Sequence, residues 1–488
     1  MASIISVIFP ILAGFVILLI KNLDGKKLKT YTFSVGLATL CIVIINNLLC
    51  YEQSINAITF AYNLGLNFNV DSLSIIFSTV FSVIWFLVLI YSYNYIDHIG
   101  EQRRYFVYYL ALGGSLLMQA YANDPFTFYM GFELMTLFGY VLIVQDRSFN
   151  SFMGARKYLY FSIFGACLGL IALFYVYSID PNITFTAGGA EALRGISQNN
   201  TVLAIAFVAI IGFGCKAGLY PLHSWLPTAH PVAPAPASAV LSAIVTKGGI
   251  IAIVRILYYL LDPTMLIGTW FQLALLLVSM LTIFMGSLLA LKEKVLKKRL
   301  AYSSVSQVSY VIFGLALLTP LGFNGAMLQV VFHAFAKTLL FLCAGVIIMK
   351  TDITDCTKLD NIGYRLKPIM ILYAVASLSL VGIPFTGGFT AKWYLASGAF
   401  ACHFEAIAFA GVVVLMLSAL LTAGYLFSSV TSAFFAKSTP EIEAKLTPIK
   451  VNKSMLIPMI VLALAIVILG VYPQSIIVAT NLASIFGF

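Results

Sequence analysis

The chain has 488 residues, of which 61% are hydrophobic and 9% are charged. Soluble globular proteins carry roughly 25% charged residues, so this composition excludes a soluble enzyme, a disordered chain and a disulfide-rich secreted module. In a soluble protein the formal net charge of +10 would suggest nucleic-acid binding. Here the basic residues lie mostly between apolar runs, so they indicate the topology of a membrane protein.

A membrane-spanning helix needs about 20 predominantly apolar residues, and the chain holds fourteen apolar runs in succession. The runs cover 2–20, 30–50, 72–94, 104–121, 124–144, 157–179, 201–222, 237–260, 268–291, 299–318, 323–349, 368–398, 403–435 and 454–472. Positive charge follows the first run, beginning at Lys21, so we interpret this run as a retained helix and not as a cleaved signal peptide. The sequence predicts an all-α polytopic membrane protein with about 14 transmembrane helices.

The distribution of basic residues tests this count. If each run crosses the membrane once, successive connections lie on alternate sides of it. This assignment places 22 of the 28 Lys and Arg residues on one side and only Arg194 on the other. Short cytoplasmic loops carry the excess of Lys and Arg. We therefore predict a multi-pass protein of the inner (cytoplasmic) membrane with both termini outside. The side that holds 292–299 and 437–453 is called the basic face below.

Several ionisable residues lie within the runs themselves, where each is expected to cost at least about 2.5–3.5 kcal/mol on insertion scales. The basic ones are Lys216, Lys247, Arg255, Lys337 and Lys392. Glu133 is the acid at mid-span, whereas Asp71 and Asp124 lie at span ends. Buried ion pairs or snorkelling are the structural alternatives, and snorkelling suits Arg255 because it is near a span end. It suits the short Glu133 side chain poorly, so we favour a proton or ion path.

Two runs contain helix breakers beside a lysine. Pro221 and four further prolines follow Lys216, while Pro384 and two glycines precede Lys392. Broken helices at membrane depth line cavities or lie buried in protein, and paired breaks indicate inverted repeats. The breaks fall in runs seven and twelve, which are five runs apart. Because five is odd, the two broken helices cross the membrane in opposite directions, and this predicts two inverted five-helix repeats. The predicted divisions are 1–103 for helices 1–3, 104–260 and 261–435 for the repeats, and 436–488 for the last helix and tail.

The buried bases form a candidate proton path. Desolvated lysines can exchange protons, and His333 lies four residues before Lys337 on one helix face. Two further histidines, His223 and His230, flank the proline-rich segment as candidate relays. No nucleotide-binding loop, haem ligand pair or Cys/His cluster is present among the seven scattered cysteines. We therefore predict no cofactor, no metal site and no catalytic residue.

Five segments carry a resemblance to a known family. They are FYMGFELMTLFGYVLI, KAGLYPLHSWLPTAHPVAPAPASAVLSAIVTKGG, KKRLAYSSVSQVSY, VVFHAFAKTLLFLCAG and GIPFTGGFTAKW. Over roughly 70–430 the chain resembles the antiporter-like membrane subunits shared by respiratory complex I (NADH:quinone oxidoreductase), Mrp-type cation/proton antiporters and energy-converting hydrogenases. Without a lateral helix after the fourteenth span, it is similar to the shorter, medial type.

The resemblance implies roles for single residues. Glu133 would pair with Lys216, and protons would pass along the membrane plane through Lys247 and His333 to Lys392. Relatives often carry a histidine where this chain has Gln307, so that relay position would need a water chain.

The function that follows is proton translocation, with Na⁺ as an alternative ion, by a non-catalytic subunit of a multisubunit membrane complex. Other membrane subunits are the expected partners. Two alternatives remain open, a free-standing cation/proton antiporter and a non-conducting scaffold subunit.

Overall fold

The structure, a computed structural model, describes residues 2–60, 64–436 and 447–479. Helices follow one another almost without interruption. Up to the first break they are α1 (Ala2–Leu19), α2 (Gly25–Leu49), α3 (Ser72–Ile99), α4 (Gln102–Tyr121), α5 (Pro125–Ile143), α6 (Phe149–Ile179), α7 (Glu191–Arg194) and α8 (Asn200–Ala217).

Short and irregular pieces follow the first break before long helices resume. The remaining helices are α9 (Leu226–Val232), α10 (Ala235–Val240), α11 (Thr246–Arg255), α12 (Trp270–Lys292), α13 (Leu296–Ala316), α14 (Pro320–Thr351), α15 (Ile362–Arg365), α16 (Lys367–Val381), α17 (Gly387–Phe400), α18 (Glu405–Phe435), α19 (Lys453–Val471) and α20 (Gln474–Ala479). Leu222–Trp225 and Cys356–Lys358 are 3₁₀ turns, and Leu241–Val245 and Ile256–Leu260 are π-helical.

The polytopic all-α class is confirmed. Within the described residues, eleven helical segments are long and apolar enough to cross a membrane. The three other predicted runs hold α4, α13 and the pair α16–α17. α4 and α13 are buried along nearly their whole length, so their side chains face other helices and need not be lipid-soluble. That all fourteen runs cross the bilayer stays a prediction. Lys437 and Lys445 of the basic face, and the tail beyond 479, lie outside the described residues.

One element was missed by the sequence analysis. The strands β1 (Ser54–Thr59) and β2 (Gly65–Asn69) form an antiparallel hairpin between α2 and α3. β2 also makes an isolated bridge from Phe68 to Ala122. The alternation of apolar and Asn residues over 66–69 is typical of a half-buried strand, but the segment is too short for that signal to stand out beside the long apolar runs.

A group of hydroxyls joins α12, α13 and α18 deep in the protein. Ser287 lies 2.7 Å from Ser306 and 2.5 Å from Ser418, oxygen to oxygen, and the Tyr310 hydroxyl donates to Ser418 at 2.8 Å. Helices in lipid gain little from the hydrophobic effect between them, so hydrogen bonds of this kind contribute to their association. These four residues are called the hydroxyl cluster below.

Both predicted helix breaks are present. α8 ends at Ala217 and is followed by Gly218 at φ 93°, and α16 ends at Val381 and is followed by Gly382 at φ 88°. A left-handed residue after a helix terminates it and is accommodated best by glycine. The breaks leave the helix ends inside the bundle, where their unpaired backbone carbonyls are available to other groups.

Arg255 does not snorkel. Its side chain is 1% exposed, and its guanidinium contacts the Asp71 carboxylate at 2.5 and 3.2 Å while lying 4.3 Å from the Tyr259 ring. Asp71 also caps the start of α3 by accepting from the Ser74 amide. The snorkelling interpretation was wrong because the partner, 184 residues away, was available only after folding.

Candidate functional site

Lys216 lies in the last turn of α8, directly before the first break. Its Nζ donates to the hydroxyls of Thr136 at 2.9 Å, Tyr158 at 2.8 Å and Ser162 at 2.8 Å, and it stands 4.1 Å from the Tyr158 ring centroid. The side chain is 1% exposed. A lysine ammonium has three donors, so this hydroxyl cage satisfies it without a carboxylate.

The expected direct pair of Glu133 and Lys216 is not formed. No ion pair within 4.0 Å joins them among the described residues, and Glu133 is partly exposed on α5. The physical reason is that the three hydroxyls already occupy the amine. Thr136, one turn further along α5, provides the contact from this helix instead.

The centre of the bundle brings Lys247 and His333 together. Lys247 Nζ lies 2.5 Å from His333 Nδ1 and 3.1 Å from the Ser242 carbonyl oxygen, and both side chains are buried. The residues are 86 apart in sequence. Lys247 follows the π-helical segment Leu241–Val245, and single π-helical turns occur often at functional sites.

Lys337 belongs to the same buried group. Its Nζ donates to the Leu300 carbonyl oxygen at 3.0 Å, and the Ser304 hydroxyl donates to that same oxygen at 3.0 Å. Ser304 in turn lies 2.6 Å from the Ser242 hydroxyl. Ser242, whose carbonyl accepts from Lys247, and Ser304, which shares an acceptor with Lys337, thus lie between the two lysines; the sequence analysis did not single them out.

The three candidate relays differ in their surroundings. His230 is fully buried, stacks on Phe341 at 4.8 Å between centroids, and has no hydrogen-bond partner in the described residues for either ring nitrogen. His223 is 7% exposed and stacks on Tyr220 at 5.3 Å. Gln307 accepts from Gln329 at 2.9 Å. All three lie inside the protein. His230 and Gln307 each contact α14, the helix that carries His333 and Lys337, through Phe341 and Gln329.

Lys392 lies in α17, just after the second break. Its Nζ donates to the backbone carbonyls of Leu380 at 2.8 Å and Val381 at 2.5 Å, which end α16, and lies 5.5 Å from the Tyr310 ring centroid. A Cβ on Gly382 would come within 3.1 Å of the amine. The break therefore serves to expose two carbonyls and to leave room for the lysine.

Lys216, Lys247, His333, Lys337 and Lys392 are all buried bases. Each amine has a polar contact to a hydroxyl, a carbonyl or an imidazole, and no carboxylate lies within ion-pair distance of any of them in the described residues. Such groups can hold and pass protons. No group of three His, Cys, Asp or Glu side chains suited to a metal occurs in the described part of the chain.

Comparison with known proteins agrees with this architecture. The chain is 32% identical over 393 residues to an NADH-quinone oxidoreductase subunit of Desulforudis audaxviator, covering 77% of this chain and 76% of that one. It is 28% identical over 402 residues to an Na(+)/H(+) antiporter subunit of Alkalihalophilus pseudofirmus, covering 81% and 80%. A chain in the structure of the Mrp complex from Dietzia sp. DQ12-45-1b superposes with a TM-score of 0.86 at 20% identity, over 99% of this chain and 97% of that one.

Two family descriptions match the sequence. Residues 58–106 match the N-terminal region of chain 5 of NADH-ubiquinone oxidoreductase (complex I). Residues 122–422, more than half of the chain, match the transmembrane region shared by NADH:quinone oxidoreductase and Mrp antiporters. The chain belongs to the NADH:quinone oxidoreductase/Mrp antiporter transmembrane family.

Proposed function

We propose that this chain translocates protons as an antiporter-like subunit of a multisubunit membrane complex. The observation that carries the proposal is the contact of Lys247 with His333 at 2.5 Å, with both side chains buried and Lys337 buried one turn beyond His333 on the same helix. Three basic groups in one low-dielectric site cannot all be charged at once without a large penalty. A proton on one of them therefore favours loss of a proton from another, which is what stepwise transfer needs.

We order the path by the succession of helices. Glu133 and Lys216 would stand at one end, the Lys247–His333–Lys337 group in the middle, and Lys392 at the other end. His223, His230 and Gln307 are the proposed relays. Glu133 would act on Lys216 through its field, not through an ion pair, because the hydroxyl cage separates them.

The topology and partners complete the proposal. We place the chain in the cytoplasmic membrane with both termini outside, and divide 104–260 and 261–435 into two inverted five-helix repeats around the two breaks. Its partners would be other membrane subunits, since relatives are named as subunits of an NADH-quinone oxidoreductase and of an Na(+)/H(+) antiporter. The transported ions would be H⁺, with Na⁺ as a coupled ion.

The test is proton transport by the complex purified through this chain and reconstituted into vesicles. Lys247→Ala and Lys337→Ala should each lower transport per assembled complex by at least about 100-fold, the usual scale for losing a proton-transfer group. Lys350→Ala is the control because Lys350 is exposed at the end of the same helix as Lys337. Undiminished transport in both buried-lysine variants would favour a scaffold role, and transport by the chain alone would favour a free-standing antiporter.

A further inference from the structure

Two adjoining cavities lie between α5, α6, α8 and α11. The first, of about 50 Å³, reaches Gly169 of α6 and Phe213 of α8, and the second, of about 30 Å³, continues past the start of α8 to Leu193 of α7. Both include the two ends of the π-helical segment Ile256–Leu260, and such turns occur often at functional sites. The residues that the two cavities share are Ala172, Val176, Ala209, Ile256 and Leu260. Together they form one space, called the apolar groove below.

The apolar groove adjoins the lipid-facing side of α6. Two residues that line it, Ala172 and Tyr175, are half-buried, and their neighbours Ile171 and Phe174 are 52% and 64% exposed. α6 is one of the helices long and apolar enough to cross a membrane. Hydrocarbon chains therefore border the groove. A helix of another subunit, about 10 Å across, is too wide to enter cavities of this size, whereas an unbranched chain fits.

Arg255 is the one charged residue among the described residues that line the groove. Asp71 accepts from both of its terminal nitrogens, and the rings of Phe185 and Tyr259 lie 5.1 and 4.3 Å from its guanidinium carbon. Its Nε is buried and has no hydrogen-bond partner in the described residues. A buried N–H of this kind costs free energy unless an acceptor reaches it, and the groove gives an acceptor access to Arg255.

The level of Arg255 in the membrane follows from its partner on α3. Asp71 directly precedes this helix, and Asp97, near its other end, pairs with Lys29, which the sequence analysis assigned to the basic side. At 1.5 Å per residue the two carboxylates stand about 39 Å apart along the helix, more than the roughly 30 Å of the hydrocarbon core. Arg255 therefore lies near the boundary opposite the basic face, where the polar part of a lipid begins.

A second arginine stands at the outer end of the groove. In the predicted topology Arg194 is the only Lys or Arg in the connections opposite the basic face. It directly follows Leu193, which lines the groove, and it is exposed. It donates to the Gly189 carbonyl oxygen at 3.2 Å and forms no ion pair within the described residues. A guanidinium binds phosphate well, so the charge at this end suits a phospholipid headgroup.

We propose that the apolar groove binds one phospholipid of the leaflet opposite the basic face. One acyl chain lies in the groove toward Gly169 and Phe213, its ester carbonyl oxygen accepts from Arg255 Nε, and the phosphate pairs with Arg194. No residue of the proposed proton path lines the groove in the described part of the chain. The inference is therefore independent of the proposed function and is tested without measuring transport.

The test is photolabelling of the purified complex in vesicles of phosphatidylethanolamine and phosphatidylglycerol. A trace of the phosphatidylglycerol carries a diazirine on its acyl chain, and the labelled residues are identified by mass spectrometry. Unlabelled phosphatidylglycerol competes with the probe either as the ester or as the ether analogue, which lacks the carbonyl oxygens.

Two variants alter the groove, and each has a matched control. Ala172→Leu fills the groove, whereas Ala204→Leu adds the same side chain at an exposed position of α8. Arg194→Gln removes the charge but keeps a donor for the Gly189 carbonyl, and Glu191→Gln changes the other exposed charge of α7. Labelling is expressed per assembled complex. Because Arg194 is exposed, its variant keeps the test decisive if Ala172→Leu does not assemble.

We expect labelling at Ala209 and Phe213, a loss of at least about fivefold in Ala172→Leu and Arg194→Gln, and no loss in the controls. The ether analogue should compete about tenfold less well, the scale of one hydrogen bond to a charged group. Labelling confined to exposed residues such as Phe174 would mean annular lipid only and overturns the proposal. Undiminished labelling in Arg194→Gln, or equal competition by ester and ether, overturns it as well.

Discussion

Lys216 and Lys392 stand beside the two helix breaks, yet the protein holds them by different means. Three side-chain hydroxyls surround Lys216, whereas two backbone carbonyls hold Lys392. A hydroxyl can donate or accept, so the contacts of Lys216 can adapt when the amine gains or loses a proton. A carbonyl only accepts, so the contacts of Lys392 are fixed by the course of the backbone. Two similar motifs in the sequence therefore have different tolerances to substitution.

The largest expected effect is at Lys392. Lys392→Ala removes the charge and Lys392→Arg keeps it without releasing protons, so both should lower proton transport per assembled complex by at least about 100-fold if the residue is a carrier. Arginine would also have to fit the site beside Gly382. The control is Lys350→Arg on an exposed helix end. A fully active Lys392→Arg complex would show that a fixed charge is enough and would remove the carrier role.

The second expected effect concerns the backbone at the same break. A Cβ on Gly388 would lie 1.8 Å from the Ser379 carbonyl oxygen, so Gly388→Ala must displace α17 from the end of α16. We expect it to destabilise the protein by about 3 kcal/mol, the upper range for overpacking, and to lower the amount of assembled protein.

Gly214→Ala tests the first break in the same way. Its nearest contact would be 3.2 Å from the flexible Leu219 side chain, so the loss should be smaller, and Gly195→Ala, with nothing within 4 Å, should be neutral. Equal losses at Gly214 and Gly388 would contradict the contrast between the two breaks. Thermal unfolding of the purified protein in detergent would provide the comparison.

The smallest expected effect is at the hydroxyl cage. Tyr158→Phe removes one of the three hydrogen bonds of Lys216, worth about 1 kcal/mol, and should slow proton transport several-fold without abolishing it. Tyr160→Phe is the matched control because Tyr160 is 62% exposed. A loss as large as that of Lys392→Ala would mean that the Lys216 cage is as rigid as the carbonyl pair.

The sequence predicted the class of fold, the two breaks and the buried lysines. These features depend on composition, on prolines and glycines within apolar runs, and on charged residues that are costly to place in a bilayer. It did not predict contacts between distant residues. The hydroxyl cage replaced the expected Glu133 pair, and Ser242 and Ser304 appeared ordinary in an apolar run. Lys297 is 6% exposed and donates to the Ala233 carbonyl oxygen. The sequence analysis counted it with the basic face, because a lysine next to other lysines gives no sign that folding will bury it.

Arg255 illustrates the same limit from the other direction. Its position near a span end suggested that it would reach water, but the ion pair with Asp71 needs α3 and α11 to pack together. Periodicity and composition describe each helix by itself, whereas the partner of a buried charge is decided by which helices become neighbours.

The hydroxyl cluster has a consequence for the order in which the protein is built. Ser287 and Ser306 are 19 residues apart and can pair as soon as α12 and α13 have been made and pack together as a hairpin. Ser418 joins Ser306 across 112 residues, so α14, α16 and α17 are synthesised before α18 is available. Until that moment the Tyr310 hydroxyl has no Ser418 to donate to. The hydroxyl cluster is therefore completed only when α18 has been made and packs against the hairpin.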